Sequence, residues 1–434
     1  MYIKLFLINI LRTIYYIFPK FIREQYVESI NFYRRTFITA LKRKVDDDVI
    51  KVQLVSNFDL LGVDTELIAH KGERYSVVNS PSLYVDDQLC KRPSLKGILP
   101  DANIIRLSGV SVIGSTDAIL SGEKMYHHEL NLMEDCHDLK RPDIFLRLND
   151  EGIFNYQVSF SNKTLEIDGL AISLLKEHST NYYHWMTEVI PKLVSIIDSI
   201  PNKDEKVVIL IEEGVPKQSV TVIDILLSEF ENLEYELCEV KKGQLVHCEN
   251  LIYCTPLWTS LDNTRYLPNP KKEFFVSSDC LKRVKSKISK NIILNSQNLP
   301  NKKIYLQREN SKLRKLSNVL DLEKLLYKKG FDFVDPGALD FWEQYDVFSQ
   351  ADTIIGASGA AFTNLLFMKP GSTAISLYPS AQSTNYYVFQ PLADVSNVDL
   401  IHFLTTPDDN SNSVHGDAKV NVIELARLLE KLDD

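Results

Sequence analysis

The sequence predicts an α/β protein whose carboxyl-terminal half is a doubly wound parallel sheet. Strand and helix patterns alternate regularly between residues 304 and 377. A small-residue turn, Gly-Ala-Ser-Gly at 356–359, directly follows one of the short apolar strands. Apolar residues make up 44% and charged residues 25% of the 434 residues, which is typical of soluble globular proteins. The alternation indicates parallel βαβ packing, with ligands expected at the carboxyl ends of the strands.

The carboxyl-terminal domain is predicted to span residues 298–405. It starts at a polar stretch rich in Asn, Pro and Lys, which we interpret as an interdomain linker. A last amphipathic helix is expected within residues 406–434. The predicted elements of this half, in order, are strand 304–307, helix 317–329, strand 331–334, helix 340–350, strand 353–355, helix 360–368 and strand 373–377.

An amino-terminal α/β domain is predicted over residues 45–297. Residues 45–150 contain short β-prone runs separated by turn residues, so we expect mostly strands there. A second alternation follows and indicates another parallel unit. Its predicted elements are strand 165–175, helix 183–199, strand 207–211, helix 217–230, strand 251–254 and helix 271–290.

Charge is distributed unevenly along the chain. The net charge of −9 excludes a global basic field for nucleic acid. Residues 1–44, however, contain nine Lys and Arg and two Glu, a net charge of +7, so the rest of the chain carries −16. This segment is also dense in Ile, Leu, Phe and Tyr, and Lys4 and Arg12 interrupt any run long enough to span a membrane.

We therefore expect residues 1–44 to form an amphipathic segment that lies on an anionic membrane surface. This would place the protein in the cytoplasm, peripherally bound to the inner face of the cell membrane. A helix docked on the body of the protein itself and a short signal anchor are the alternatives. The oligomeric state is left open.

The cysteines and histidines give no sign of a disulfide framework or a metal centre. The six cysteines include no C-x-x-C pair and are sparse, so we expect them to be reduced. Cys136-His137 and His127-His128-Glu129 lack a second ligand pair at a recognisable spacing. We predict no metal and no cofactor.

The turn at 356–359 is suited to an anion. Gly356 and Gly359 let the backbone approach a ligand closely, and the helix predicted to begin near Ala360 offers its first N–H groups and the positive end of its dipole. Thr363 and Asn364 add side-chain hydrogen bonds one turn later. An ordinary tight turn between a strand and a helix is the alternative.

Two arginines are expected at the same end of this sheet. Arg308 follows the first strand of the carboxyl-terminal half, and Arg314 lies in the next loop. Because the carboxyl ends of parallel strands point one way, both should lie near the small-residue turn. A guanidinium group binds two oxygens at once and suits a diphosphate. Two ordinary surface arginines are the alternative.

A second constellation lies in the amino-terminal half. His184 and Glu188 are four residues apart in a predicted helix and therefore share one helix face. They suit a general base with an orienting carboxylate. A structural pair, with His184 as a satisfied core histidine beside Trp185, is the alternative.

Together these motifs resemble glycosyltransferase family 61. The resemblance covers about residues 165–380, roughly half of the chain. It is carried by four elements: Asn181-Tyr-Tyr-His-Trp-Met-Thr-Glu-Val-Ile-Pro-Lys-Leu193, Tyr305-Leu-Gln-Arg308 with Arg314 and Asn318, Glu343-Gln344, and Gly356-Ala-Ser-Gly-Ala-Ala-Phe-Thr-Asn-Leu-Leu-Phe367. Many family members have His where this chain has Ser358.

The resemblance implies a GT-B-like architecture, with two Rossmann-like domains facing across a cleft. It also implies an inverting, metal-independent transferase that uses a nucleotide sugar, expected to be UDP-linked, and a glycan or lipid-linked glycan acceptor in capsular or other cell-surface polysaccharide synthesis. His184 would be the base, oriented or replaced by Glu188. The donor-binding residues implied are Arg308, Arg314, Glu343, Gly356, Ser358, Gly359, Ala360, Thr363 and Asn364.

Two other functions fit the same motifs. A non-catalytic scaffold that binds nucleotide or glycan in a polysaccharide assembly complex would need the same cradle. So would a phosphotransferase that acts on polymer intermediates.

Overall fold

The structure of the protein is a computed structural model. It describes residues 47–72, 74–132, 145–150, 153–199, 206–230, 233–261, 273–291, 303–308, 314–380, 384–408 and 416–433. The predicted basic segment 1–44, the pair Cys136-His137 and all but the last residue of the predicted linker lie outside these residues. In the part of the chain that is described, no helix combines the length and apolar character needed to cross a bilayer.

The first part of the described chain is built mainly of strands, as predicted for residues 45–150. A two-residue turn, Asp86-Asp87, joins two of them, and both turn residues have positive φ, as in the tight turns that favour β-hairpins. The elements are β1 (Asp47–Leu54), β2 (Thr65–Lys71), β3 (Arg74–Val78), β4 (Ser82–Val85), β5 (Gln88–Lys91), β6 (Leu95–Leu99), β7 (Ala102–Ile113), β8 (Ile119–Ser121), β9 (Lys124–Tyr126), the short helix α1 (His128–Leu132) and β10 (Phe145–Asp150).

The middle of the chain alternates strands and helices, which confirms the second predicted alternation. The helix predicted over 217–230 ends earlier, and the one predicted over 271–290 begins later. The elements are β11 (Ile153–Ser173), α2 (Tyr182–His184), a π-helical turn (Trp185–Val189), α3 (Ile190–Ser199), β12 (Val207–Glu212), α4 (Lys217–Leu227), β13 (Tyr235–Val240), β14 (Gln244–Cys254) and α5 (Ser278–Asn291).

The carboxyl-terminal part follows the predicted order of elements closely. They are β15 (Lys303–Leu306), α6 (Val319–Lys328), β16 (Asp332–Val334), a 3₁₀ turn (Pro336–Ala338), α7 (Phe341–Gln350), β17 (Thr353–Ala357), a 3₁₀ helix (Ala360–Phe367), β18 (Thr373–Pro379), α8 (Gln390–Ser396), β19 (Asp399–Pro407), β20 (Ala418–Lys419) and α9 (Val422–Asp433).

One element differs from its prediction. The segment after the small-residue turn is a 3₁₀ helix and not an amphipathic α-helix. Six consecutive residues, Phe362 to Phe367, are buried, so the segment has no solvent-facing side over this stretch. Packing on all sides therefore sets how tightly the segment winds, and the 3.6-residue periodicity of a surface helix does not apply to it.

Within the described ranges, most strands belong to two large mixed sheets, so the chain is a mixed α/β protein. The first sheet has the order β1-β9-β8-β7-β14-β11-β12-β13, with β10 on β11 and β2 on β7, and its strands β11 to β14 run parallel. The second has the order β16-β15-β17-β18-β19-β4-β5, with β20 on β19, and its strands β15 to β19 run parallel. Strands β3 and β6 pair separately.

The β4–β5 hairpin completes the second sheet although it comes from the beginning of the chain. Strand β4 pairs in parallel with β19, so that Tyr84 lies opposite Phe403. The two rings stack with their centroids 5.9 Å apart. Tyr84 is buried in the core of the carboxyl-terminal sheet, together with residues of α6 and α9.

A layer of helices lies between the two sheets. The largest hydrophobic cluster of the described residues combines Leu193 of α3, Val284 of α5, Phe348 of α7, Leu392 of α8 and Leu365 of the 3₁₀ helix. Because one hydrophobic core joins both sheets, the end of β11 is fixed in position relative to the ends of β15 to β17. The candidate site described below lies where these ends meet.

The Tyr84→Ala substitution tests the role of the hairpin. Loss of this buried ring should lower the free energy of unfolding by about 3–5 kcal/mol, as for other buried aromatic truncations. Leu89→Ala is the matched control, because Leu89 lies opposite Tyr84 in the hairpin but is 54% exposed. It should cost less than about 1 kcal/mol in urea unfolding. Equal losses for the two variants would contradict the assignment of β4 to the core.

Candidate functional site

A cavity of about 420 Å³ opens at the carboxyl ends of the parallel strands of the second sheet. Its volume falls in the usual range for small-molecule sites. Tyr182 and Gln218 contribute to its wall from the amino-terminal half. The remaining lining residues come from the carboxyl-terminal half: Leu306, Gln307, Arg308, Asp335, Pro336, Gly337, Ala338, Gln344, Ala357, Gly359, Ala360 and Ala361.

Strand order explains why these residues meet. Strand β15 lies between β16 and β17 in the sheet, and all three run parallel. Arg308 follows β15, Asp335 follows β16, and the turn at 357–361 follows β17. The structure therefore brings Arg308, Gly359 and Ala360 to one sheet end.

Two guanidinium groups converge on one carbonyl oxygen at this turn. Nη1 of Arg308 donates to Ser358 O at 3.1 Å, and Nη1 of Arg314 donates to the same oxygen at 2.7 Å. The pKa of Arg308 is lowered from its ordinary value by partial desolvation and by the neighbouring charge of Arg314. Desolvation also lowers the pKa of Arg314. Two cations held this close favour an anion beside them.

The glycines of the turn leave room for these contacts. A Cβ at Gly359 would lie 3.2 Å from Nη1 and 3.3 Å from Cζ of Arg308. A Cβ at Gly356 would lie 2.8 Å from the Cβ of Leu306. Gly359 has extended backbone, with φ of 177°, so space and not a special conformation requires glycine there.

Ser358 contributes its backbone to the site. Its side chain is buried, and its N–H donates to Leu377 O at 3.0 Å. Its carbonyl oxygen receives both arginines. The observed role of Ser358 is therefore to fix the guanidinium groups through its backbone carbonyl, and its contact with a donor stays a prediction. Ala360 and Ala361, the first residues of the 3₁₀ helix, line the cavity, and the first N–H groups of a helix have no partner within it.

Three other predicted donor-binding residues lie away from the cavity. Thr363 and Asn364 are fully buried, and neither forms part of the cavity wall. Glu343 is exposed and forms a capping box with Asp340 at the start of α7. Its neighbour Gln344 lines the cavity instead.

Asn364 belongs to a buried hydrogen-bond relay that connects the two halves. Tyr182 Oη donates to Asn364 Oδ1 at 2.7 Å, and Asn364 Nδ2 donates to Gln344 Oε1 at 2.8 Å. Gln344 Nε2 then donates to Pro336 O at 2.9 Å. Burial raises the pKa of Tyr182, so its hydroxyl remains a donor. The relay ties the helix that carries His184 to the wall of the cavity.

His184 and Glu188 lie side by side, as their spacing predicted. Nδ1 of His184 is 3.0 Å from Oε2 of Glu188, and the same oxygen accepts a hydrogen bond from Nζ of Lys176 at 2.5 Å. His184 is 22% exposed, whereas Glu188 is 1% exposed. A partly exposed imidazole supported by a buried carboxylate can take a proton from a hydroxyl group.

A π-helical turn shapes this part of the helix. The N–H of Ile190 donates to Trp185 O, five residues earlier, and the next residue, Pro191, has no N–H to donate. Trp185 is anchored by its indole N–H, which donates to Ser219 O at 2.9 Å. Single π turns of this kind are frequent at functional sites. His184 itself is not part of the cavity wall, but Tyr182, in the same turn of helix, is.

The comparison with known proteins gives a single match that spans both the His184–Glu188 pair and the arginine site. Residues 182–375 match the family described as Glycosyltransferase 61. Over these residues, a little under half of the chain, the sequence is similar to glycosyltransferase family 61. The match begins at Tyr182, in the turn that carries His184, and extends past the arginines and the small-residue turn. A search of the curated proteins finds no significant match.

Some residues of this candidate site were not predicted. Lys176, Asp335 and Gln218 were given no role by the sequence, and Tyr182 and Gln344 were noticed only as parts of the family motifs. Asp335 could have been found, because Asp-Pro-Gly is a turn signal directly after a predicted strand of the sheet. No local sequence pattern points to Gln218.

In the part of the chain that is described, no three His, Cys, Asp or Glu residues are grouped to hold a metal ion.

The Tyr182→Phe substitution tests the relay. It leaves the buried Oδ1 of Asn364 without this donor, which should lower the free energy of unfolding by about 1–3 kcal/mol. Tyr327→Phe is the control, because Tyr327 is 76% exposed, and it should change stability by less than about 0.5 kcal/mol. Urea unfolding of both variants gives the comparison. A Tyr182→Phe variant as stable as the control would show that the relay carries no energy.

Proposed function

We propose that the cavity binds a nucleotide sugar, UDP-linked, and that the protein transfers the sugar with inversion to a hydroxyl group of a glycan or lipid-linked glycan. The observation that carries this proposal is the convergence of Arg308 and Arg314 on Ser358 O at the edge of the cavity. The match to glycosyltransferase family 61 supports glycosyl transfer, and the paired guanidinium groups support a diphosphate as the ligand.

In the proposed reaction the acceptor oxygen forms a bond to C1 of the sugar. The bond from C1 to the diphosphate breaks, and its electron pair goes to the phosphate oxygen. Negative charge therefore grows on the leaving diphosphate, where the two arginines and the first N–H groups of the 3₁₀ helix stabilise it. Because these groups supply positive charge, the reaction needs no resident metal, and activity should persist in a chelator.

The proton of the acceptor hydroxyl goes to His184 in this scheme. The ring holds Nδ1 toward Glu188 Oε2, and the proposed acceptor of the proton is its other nitrogen, Nε2. The relay from Tyr182 to Gln344 holds this helix turn against the cavity. Acceptor and donor would therefore meet between the two halves of the chain.

The architecture proposed for this reaction is GT-B-like. Residues 45–297 would form the acceptor side and residues 298–405 the donor side. The basic segment 1–44 would hold the protein at the cytoplasmic face of the membrane, where lipid-linked acceptors are presented. The product would be a capsular or other cell-surface polysaccharide.

A donor screen tests the proposal directly. Purified protein is incubated with a panel of nucleotide sugars and glycan acceptors, and release of free nucleotide is measured. At least one donor should yield nucleoside diphosphate together with a glycosylated product. Binding of nucleotide without turnover of any donor would instead favour the scaffold, and transfer of a phosphoryl group would favour the phosphotransferase.

Arg308→Ala tests the diphosphate contact. Loss of one charged hydrogen-bond donor should lower kcat/KM for the donor roughly 10- to 150-fold, or about 1.5–3 kcal/mol. Arg427→Ala is the control, because Arg427 is an exposed arginine that pairs with Asp87, and its kinetics should be unchanged. Wild-type kinetics in Arg308→Ala would refute the assignment.

His184→Gln tests the base. Transfer should fall to the background rate, while the affinity for UDP measured by calorimetry should stay within about twofold of the wild-type value, because the diphosphate groups are untouched. His70→Gln, at an exposed histidine in β2, should leave both quantities unchanged. Loss of UDP binding in His184→Gln would place this residue in the donor site.

A further inference from the structure

A buried ammonium group contacts the same carboxylate as the proposed base. Lys176 lies in the loop between β11 and α2, and its side chain is 2% exposed. Its Nζ lies 2.5 Å from Glu188 Oε2, the same oxygen that is 3.0 Å from His184 Nδ1. One carboxylate oxygen therefore serves both a buried lysine and the histidine.

The surroundings of Lys176 make this contact costly to keep for stability alone. The Nζ atom lies 4.8 Å from the centre of the Trp258 ring, and Glu188 is almost completely enclosed. Taking an ammonium and a carboxylate out of water costs several kcal/mol for each ion, and an apolar pair of the same volume is often as stable. What distinguishes this pair from other buried pairs is that its carboxylate also contacts a histidine.

Electrostatics indicates what that role is. The groups that face His184 include Glu188 on the π-helical turn, Tyr183 on α2 and His178 in the preceding loop, whose ring centre is 5.4 Å away. The Glu188 carboxylate favours a proton on the imidazole, because opposite charges stabilise each other. The charge of Lys176 balances that carboxylate. The positive charge of Lys176 therefore opposes protonation of the free imidazole, which favours its use as a proton acceptor.

We propose that Lys176 is a positioning residue of the transfer reaction. It fixes Glu188 Oε2 so that His184 keeps Nδ1 toward the carboxylate, and its charge balances that carboxylate so that the ring is the better proton acceptor. The value of this arrangement for catalysis rests on the proposed function, in which His184 is the base. Its effect on the protonation of His184 does not rest on that function and is measured separately.

The test compares three substitutions at Lys176 with a matched control. Lys176→Met removes the charge, Lys176→Gln keeps a hydrogen-bond donor without charge, and Lys176→Arg keeps both. Lys192→Met is the control, because Lys192 is also buried, pairs with Asp117 at 2.9 Å and lies 5.0 Å from the centre of the same Trp258 ring. It therefore removes a similar ion pair that does not include Glu188.

Protonation of His184 is followed by NMR of the full chain with nitrogen-labelled histidine. The His184 signals are assigned by their loss in His184→Gln. In Lys176→Met and Lys176→Gln the midpoint of the His184 titration should rise by roughly one pH unit, since the carboxylate now acts on the imidazole alone. In Lys176→Arg and Lys192→Met it should stay at the wild-type position. Should Lys176→Met fail to fold, Lys176→Gln decides. An unchanged or lower midpoint in the uncharged variants overturns the inference.

The second measurement is the rate of sugar transfer by the same variants. In Lys176→Met, kcat at about pH 7 should fall roughly threefold, as expected for a rise of about one pH unit from the ordinary histidine value, and recover at higher pH, with the KM for the donor nearly unchanged. Lys176→Arg should restore the rate. A loss that is the same at every pH, like that of a merely destabilised protein, overturns the catalytic role. A raised midpoint in a protein that transfers no sugar would remove the proposed function and leave the effect of Lys176 on His184 standing.

Discussion

Two guanidinium groups share the carbonyl oxygen of Ser358, and much of the site depends on this contact. The two cations lie close together and partly out of water, so each has a lowered pKa and both favour an anion. Glycine at 356 and 359 follows from the same contact and from strand packing, because a side chain at either position would meet Leu306 or Arg308. The parallel pairing of β15 with β17 brings these groups to one sheet end.

The second half of the site is built from buried polar groups. The amino-terminal half encloses two lysine–carboxylate pairs, one of which supports His184, and their ammonium groups lie 4.8 Å and 5.0 Å from the centre of the Trp258 ring. The relay through Asn364 then fixes this half against the cavity wall. Buried polar groups of this kind are costly if any partner is lost, so they hold the two halves in one arrangement. A reaction between a donor and an acceptor held on opposite sides needs such an arrangement.

Local sequence patterns predicted much of this structure. The features that depend on contacts between segments far apart in the sequence were not predicted. The alternation of elements after residue 304, and the meeting of Arg308 with the small-residue turn, follow from parallel-sheet geometry. The burial of Thr363 and Asn364 does not follow from this geometry, because it depends on helices that pack from both halves of the chain. The pairing of β4 with β19 joins segments more than 300 residues apart and has no local signal. Lys176 was missed because a lone lysine after a strand is usually solvated.

The proposed diphosphate site formed by Arg308 and Arg314 is tested by calorimetric titration of the wild-type protein with UDP and with UMP. UDP should bind at least about tenfold more tightly than UMP, because the second phosphate reaches the guanidinium pair. This preference should disappear when both arginines are replaced by alanine and persist in Arg427→Ala. Equal affinity for UDP and UMP in the wild-type protein, or an unchanged preference in the double variant, would rule out a diphosphate site at these arginines.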